Sequence, residues 1–385
     1  MPRPDYDVVI IGAGLAGLQL ARRLARSDLR VMLADVKRTV GERVHTTGIF
    51  VRRTLEDFDL PPSALGPPMS RVVLRSPRGR GLQIEGSPIE FRFGDMAAIY
   101  ETLREKATED GVQWRPRHRF VSAERHGQTT LIRLATPDGH RTLRTRFLVG
   151  ADGARSRVAR DLGLSRNRRL LVGGEHVFHR STPNPEAAAL HCYLHPELAP
   201  GYIAWVADDG RHVHVGLAGH LDRVSLRASL NCFVDSVREE HGLEPMNHAE
   251  HRVGLIPIGG VLPRLHNDRG LLVGDAAGAV SPLTAGGLDA CLRLSRAAAE
   301  LIPRHLNGDP LALRHYDGRW LRRRLISRRA MRWLFDHLQQ PQIIEALFSA
   351  AARGVLTGVA RHVFFGRGSF PDLRITPLIP QSTAP

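Results

Sequence analysis

Six apolar or aromatic-flanked residues, Tyr6 to Ile11 (YDVVII), run directly into Gly12-Ala13-Gly14-Leu15-Ala16-Gly17. A short β-branched run that stops at glycines reads as a buried parallel strand. Residues 15–27 then carry helical spacing through Leu15, Leu18, Leu20, Ala21 and Leu24, and a second strand, Arg30 to Ala34, ends in Asp35. This is a βαβ opening, and each glycine has a task in it. Gly12 permits the tight turn, Gly14 lets backbone approach a pyrophosphate, and Gly17 lets helix and strand pack closely. The helix start offers N–H groups and a positive dipole end to phosphates. Asp35 follows Gly14 by 21 residues, where a carboxylate can accept ribose hydroxyls. Gly12, Gly14, Leu15, Ala16, Gly17, Asp35 and Val36 are therefore candidate dinucleotide contacts.

That turn alone fits NAD or FAD. Two later segments separate them. Residues 149–160 read VGADGARSRVAR, a strand followed by Asp152-Gly153 and then by Arg155 and Arg157 at a helix start. Residues 271–290 read LLVGDAAGAVSPLTAGGLDA, in which a strand delivers Gly274-Asp275 at its carboxyl end, where α/β sheets place ligands. A carboxylate there can hold a polyol hydroxyl such as the ribityl chain of a flavin. Gly286 and Gly287 would let backbone pass close to a flat ring, and the helix opening at Leu288 would aim its positive end at the ring's N1–C2 edge. An NAD-only dehydrogenase gives no reason for this second set.

At these residues the chain resembles the FAD enzymes related to aromatic-ring hydroxylases (group A flavoprotein monooxygenase-like), and within them the geranylgeranyl reductase branch. GADGARSRV is similar to the class's DG segment, and GDAAGAVSPLTAGGL to the branch's GDAAG…P.TGEGI stretch, with Ala285 standing where the branch has Glu. The resemblance covers most of residues 5–300 and continues loosely to VFFGRGSF. It implies that Gly12, Gly14, Gly17, Asp35, Arg43, Asp275, Pro282, Gly286 and Gly287 line FAD, and that Asp152, Gly274 and Leu288 belong to the same cradle. Arg92 resembles an arginine that the class places before the helix at 95–110, offset by about a residue. PGYIAWVA, residues 200–207, is similar to the branch's P..Y.W.FP segment, with Asp208 where Pro is usual. Tyr202 and Trp205 then either wall an apolar pocket over the flavin or simply pack a sheet core. GERVHTTGI, residues 41–49, stands where the branch often carries a cysteine loop; His45 there is either a proton donor, a solvated loop residue or a contact to the FAD phosphate.

The fold class expected is α/β: a Rossmann-type, glutathione-reductase-like FAD-binding domain with an inserted β-rich substrate domain and a helical C-terminal region. Dinucleotide signals at both ends make the FAD domain discontinuous, over 1–70, 95–165 and 265–303. The β-rich domain takes 71–94 and 166–264, with a hairpin turning at Asp209-Gly210, and residues 304–385 are helical with a Pro-rich, disordered end from Pro377. At 385 residues, two to three structural regions are expected.

The net charge of +15 is carried almost wholly by arginine, since Lys37 and Lys106 are the only lysines. That bias follows either from GC-rich codons or from attraction to anionic partners. Cys192, Cys232 and Cys291 form no CxxC pattern, so neither a disulfide framework nor a zinc site is expected, and a reducing cytoplasm fits. His212 and His214 alternate on a strand without a placed third ligand and read as surface residues, so no metal is expected. No run reaches the ~18 apolar residues of a membrane span. A basic amphipathic helix at 319–338 either packs on the FAD domain with a solvated arginine face or rests on an anionic membrane, such as the inner face of the cell membrane. No stacking aromatics alternate with the arginines, which argues against nucleic acid. Oligomeric state leaves no sequence signature here.

Function then divides in two. One reading is an FAD-dependent oxidoreductase that reduces carbon–carbon double bonds of a small apolar or lipid-like (isoprenoid) substrate by hydride from reduced flavin N5, with NAD(P)H or another reductant as electron donor. The alternative is an NAD(P)H monooxygenase, a hydroxylase or epoxidase acting through a flavin hydroperoxide, which needs few diagnostic side chains. A halogenase would carry a W.W.IP segment where this chain has YIAWVA, and complete cofactor signatures argue against a non-enzymatic scaffold.

Overall fold

The computed structural model describes residues 3–243, 248–349 and 351–366. The Pro-rich end and residues 367–370 of the VFFGRGSF segment lie outside them.

The opening strand Tyr6–Ile11 is buried at every position and lies at the centre of a mainly parallel sheet. It pairs in parallel with Val31–Ala34 on one side and with Gly139–Gly150 on the other. Gln113–Arg115 extends the first side and Gly270–Leu272 the second, both in parallel. Strands buried on both faces need no alternation, which is why the run reads as continuously apolar. Thr129–Thr136 and Arg119–His126 attach antiparallel to the long strand Gly139–Gly150. Helices Leu15–Leu24, Met96–Glu109 and Leu288–Leu306 belong to the same core. Asp95 caps the second of these by accepting from the Ala98 N–H at 3.0 Å, satisfying one of the N–H groups a helix start leaves open.

A seven-stranded sheet runs in the order His248–Pro257, Leu170–His179, His212–His220, Ala204–Asp208, Ala189–Tyr193, Arg71–Arg75, Gly81–Glu85. Its hairpin turns where expected. Gly210 has φ +85°, and the Asp209 carboxylate accepts from the Arg211 and His212 N–H groups at 2.8 and 2.6 Å. The helix Leu226–His241 covers one face, packing on Val213, Val215 and Leu217. A small third sheet joins Ile49–Val51, Phe91–Gly94 and Leu65–Met69. Phe91–Gly94 therefore leaves the β-rich sheet that its two predecessors join and bridges toward the loop at 41–48.

The helix expected over 319–338 is broken at Leu325 into Arg319–Arg324 and Ile326–His337. Its arginines are mostly not solvated. Arg322 donates to the Leu262 carbonyl at 2.8 Å, Arg324 to Asp289 at 3.0 Å, and Arg328 to the His362 carbonyl at 3.2 Å. Arg332 is 1% exposed and donates to Gly201 O and Asp336, each at 2.5 Å. Arg319, Arg323 and Arg329 stay exposed, and beside them apolar side chains face outward: Ile326, Trp333 and Leu334, with Val355 and Val359 of the next long helix, Arg353–Phe365. No helix among the described residues is long and apolar enough to cross a membrane.

Candidate functional site

The glycine turn has the geometry that the sequence demands. Gly12 sits at φ +108°, and a Cβ there would lie 2.2 Å from the Ala151 carbonyl oxygen. A Cβ at Gly17 would lie 1.9 Å from the Gly12 carbonyl oxygen, while one at Gly14 would meet nothing within 4 Å. Gly12 and Gly17 are thus packing requirements, and Gly14 leaves open space at the helix start. That helix has no side-chain cap, so its positive end is free to face a pyrophosphate. Asp35 does more than the sequence suggests: Oδ2 accepts from the Ala13 N–H at 2.6 Å and Oδ1 from the Lys37 N–H at 2.9 Å. It pins the turn to the end of the second strand, and each oxygen keeps a lone pair for a ribose hydroxyl. Val36 and Arg43 are exposed beside it, Arg43 at φ +51°.

Asp152 departs from the role expected of it. Its Oδ1 accepts from the Ser156 hydroxyl at 2.6 Å, and its Oδ2 from the Arg157 and Val158 N–H groups at 2.7 and 3.1 Å. The carboxylate therefore turns inward to cap its own short helix, Arg157–Asp161, and builds the loop instead of reaching outward. Arg92 is likewise committed, donating to the Gly66 and Leu65 carbonyls at 2.7 and 3.1 Å.

Gly274–Ala277 forms a tight turn beside the glycine helix, where a Cβ on Gly274 would lie 2.7 Å from the Ala16 Cβ. Asp275 makes no side-chain hydrogen bond or ion pair among the described residues, and burial pushes its carboxyl up to about 6. A carboxylate taken partly out of water without a partner is costly, and polyol hydroxyls would relieve it. Gly287 begins the helix Leu288–Leu306 directly over it, its Cβ position being 3.6 Å from Asp275 Oδ1. The intervening loop is tight: Ser281 N–H donates to Gly286 O at 3.0 Å, Ala285 N–H to Ser281 O at 3.0 Å, and Ala285 adopts φ +52°. Pro282 packs against Gly260. Open space at Gly14, an uncapped helix start and a lone carboxylate fit FAD as a resident cofactor, with Asp35, Asp275 and the 285–288 backbone as its holders.

The seven-stranded sheet turns its other face toward this loop. Tyr202, Leu171, Ala218 and Ile258 form one apolar cluster, with Ile203, Trp205, Ile256 and Ala285 packed against it. The cluster that holds Tyr202 thus packs against the residue that stands in the Glu position of the reductase branch. Burial raises the Tyr202 hydroxyl's pKa. The Trp205 ring lies against Gly216, whose Cβ position is 2.4 Å from Cζ2, and the indole N–H has no partner among the described residues. His45 Nδ1 lies 2.7 Å from the Val253 carbonyl. Since a carbonyl only accepts, Nδ1 carries the proton and the neutral ring presents a bare Nε2. Burial, ahead of the Val253 bond that opposes it, holds the His45 pKa below 6.5.

Next to Trp205 lies a charged group that the sequence did not disclose. Glu175 is 3% exposed; Thr47 Oγ1 donates to it at 2.6 Å, Arg252 Nη1 at 3.2 Å, and His214 Nδ1 lies 3.3 Å away. Burial would raise the Glu175 carboxyl, but His214 and Arg252 outweigh it and hold the pKa low. Arg252 also donates to the Thr46 carbonyl at 2.8 Å, tying the 45–48 loop to the sheet. His214, read as a surface residue, is buried and stacked on Phe93 with centroids 5.3 Å apart. Strand alternation placed it on a face; only sheet packing decided that this face is covered. Asn167 was missed too. It donates to Ala154 O at 3.0 Å and Asp275 O at 2.8 Å, stitching the two cofactor turns together. Across the sheet, His191, Glu240 and His241 bring ligand atoms within 4.8 Å, but Arg75 is already paired with Glu240.

A βαβ glycine turn, a carboxylate-bearing second turn and a β-sheet closing over them define an FAD-dependent oxidoreductase of mixed α/β fold, with FAD as its cofactor and NAD(P)H or another reductant as electron source. The chain belongs to the family described as FAD binding domain, whose model matches residues 70–330; that of the NAD(P)-binding Rossmann-like domain matches residues 10–74. It is geranylgeranyl reductase-like. It is similar to digeranylgeranylglycerophospholipid reductase of Methanocaldococcus jannaschii, 24% identical over 353 residues covering 89% of this chain and 87% of the relative. Digeranylgeranylglycerophospholipid reductase 1 of Methanopyrus kandleri is 28% identical over 330 residues, covering 82% and 86%. Among solved structures, a geranylgeranyl bacteriochlorophyll reductase-like protein from Thermoplasma acidophilum shares the fold with a TM-score of 0.78 at 17% identity, covering 94% of this chain and 97% of that one. Aklavinone-11 hydroxylase with FAD and aklavinone gives 0.67 at 20%, covering 86% and 70%.

Asp275→Asn separates the costs of that carboxyl from its use. A carboxyl whose pKa rises on folding keeps a proton that the unfolded chain releases, so it costs stability as pH climbs from 3.8 to about 6, and the full cost persists above that. The variant's flavin-free form should therefore melt higher than the parent at pH 8 and no higher at pH 4. FAD titration should show affinity weakened about tenfold or more, the scale of one lost charged hydrogen bond. Unchanged FAD affinity would remove Asp275 from the cradle.

Proposed function

We propose that this protein reduces carbon–carbon double bonds in an apolar, isoprenoid-like chain. The observation that carries the reading is the apolar cluster around Tyr202 and Trp205, which packs against Ala285 in the loop that leads to the FAD-facing helix. Such a wall suits a hydrocarbon better than a polar ring, because it offers mostly apolar area, with the Tyr202 hydroxyl and the Trp205 indole N–H as its polar groups. The similarity to digeranylgeranylglycerophospholipid reductases supports the same substrate class. Bound FAD supplies the hydride. The chain's own part is to hold the alkene against the ring and deliver a proton to the other carbon. His45 is the proposed donor in its acid form, since only imidazolium carries a proton on Nε2.

The monooxygenase reading keeps one specific support, the shared fold with aklavinone-11 hydroxylase. Anaerobic incubation of the FAD-loaded protein with a reductant and a polyprenyl lipid should yield product heavier by a hydrogen pair per double bond. Product formed only under air, with oxygen consumed and a hydroxyl gained, would refute the reductase reading.

The acid role of His45 sets the direction of pH dependence. The proton-limited rate should fall as pH rises through a midpoint below 6.5. His45→Gln should abolish that limb and lower kcat about 100-fold or more, with flavin content unchanged. An unaltered pH profile would assign the proton to another group.

The outward apolar set Ile326, Trp333, Leu334, Val355 and Val359 is the proposed contact with a lipid surface, giving a long-chain substrate a short path. Co-sedimentation with phospholipid vesicles should be reduced in Trp333→Ser/Leu334→Ser. Equal recovery of parent and variant with the vesicles would dismiss this face.

A further inference from the structure

A cleft of about 690 Å³ opens beside the Asp152 turn, and its rim carries Arg155, Arg166, Arg168, Arg169 and Arg264. No acidic residue lines it. Arg169 pairs with Asp336 at 2.8 Å; Arg155, Arg166, Arg168 and Arg264 have no carboxylate partner among the described residues. All five are exposed. Several arginines elsewhere, such as Arg322, Arg324 and Arg332, are used inside the fold against carbonyls and carboxylates. Here four arginines line one cleft with no acidic residue among its walls, a concentration of like charge that favours a multiply charged anion.

We propose that this cleft binds a phosphate-bearing ligand other than FAD. The seat is distinct from that of the FAD pyrophosphate, because none of Gly12, Gly14, Gly17 and Asp35 lines it. It is adjacent to the flavin cradle all the same: Ala276 and Asn167 form part of its wall, and Asn167 holds the Asp275 carbonyl. Planar guanidinium forks match phosphate oxygens two at a time, and several forks around one cavity favour a diphosphate or an ester phosphate over a single carboxylate. The volume suits a nucleotide or a lipid head group. Both sources share this chemistry, the diphosphate of a nicotinamide reductant or the phosphate of a phosphorylated substrate. The second source rests on the reductase reading above, whereas the binding of phosphate itself does not.

The test uses the FAD-loaded protein and inorganic pyrophosphate, titrated by calorimetry at low salt, against the variant Arg166→Gln/Arg168→Gln/Arg264→Gln. None of these side chains has a structural partner, so flavin content and Tm should be unchanged. Pyrophosphate affinity should fall about tenfold or more in the variant, with a shallower dependence on salt. Equal affinity in parent and variant, or no binding to the parent, overturns the proposal whatever the enzyme's substrate proves to be. Flavin reduction by NADPH then assigns the source: a raised half-saturating NADPH concentration in the variant identifies the nucleotide. Normal reduction, with a raised KM for a phosphorylated polyprenyl substrate but not for its alcohol, identifies the head group.

Discussion

The contact on which the rest of the site depends is backbone against backbone. Gly12 lies so close to Ala151 that a Cβ would be 2.2 Å from its carbonyl oxygen, and the glycine helix lies equally close to Gly12 through Gly17. The strand end and the glycine helix that follows it therefore meet a third piece of chain, more than a hundred residues further on, almost backbone to backbone. The Ala151 N–H donates to the Ile11 carbonyl at 2.8 Å, and the Gly12 N–H to the Ala34 carbonyl at 2.8 Å, so the junction is hydrogen-bonded as well as close. Any Cβ there would push the helix start away from the strands, and the phosphate seat with it. The price of such packing is conformational freedom, which glycine alone can give up at φ +108°.

Around that junction the protein handles charge in two ways. Deep groups are neutralised in place: Glu175 by His214 and Arg252, Asp289 by Arg293 and Arg324, Asp152 by N–H groups of its own helix. Each of these carboxylates is held by hydrogen bonds, and Glu175 and Asp289 by positive charge as well, the condition under which burial is tolerated. Asp275 is the exception among the deep groups, a lone anion, and the arginine rim lies on the surface beside the same turn. A buried charge with no partner marks a place where ligand groups can complete the structure.

Much of the cofactor site was legible because its requirements are local. A strand, a glycine spacing and an acid at the next strand's end lie within some thirty residues, and the Gly274-Asp275 turn announces itself by the apolar run before it. Where local reasoning stopped, contacts between distant segments had taken over. Asp152 was read as reaching for a cofactor, but three donors that follow it in the chain claim its oxygens. Arg92 was offered to FAD, but strand pairing set it against the Leu65 and Gly66 carbonyls. The arginines of 319–338 were taken for a solvated face, and tertiary packing turned most of them inward and left Trp333 outside. Glu175 and Asn167 carry no spacing that could distinguish them from ordinary polar residues.

The sequence by itself determined the dinucleotide turn, the choice of FAD over NAD and the alternation of parallel and antiparallel layers, since glycine geometry and strand periodicity act over a few residues. Only the tertiary structure decided which face of the seven-stranded sheet turns toward the 281–287 loop, that the Tyr202 cluster packs against Ala285, and which arginines line the cleft beside Asn167. Those outcomes depend on register and on the approach of segments far apart in the chain. A side chain's burial and partners are properties of the surface brought against it, and no local pattern encodes that surface.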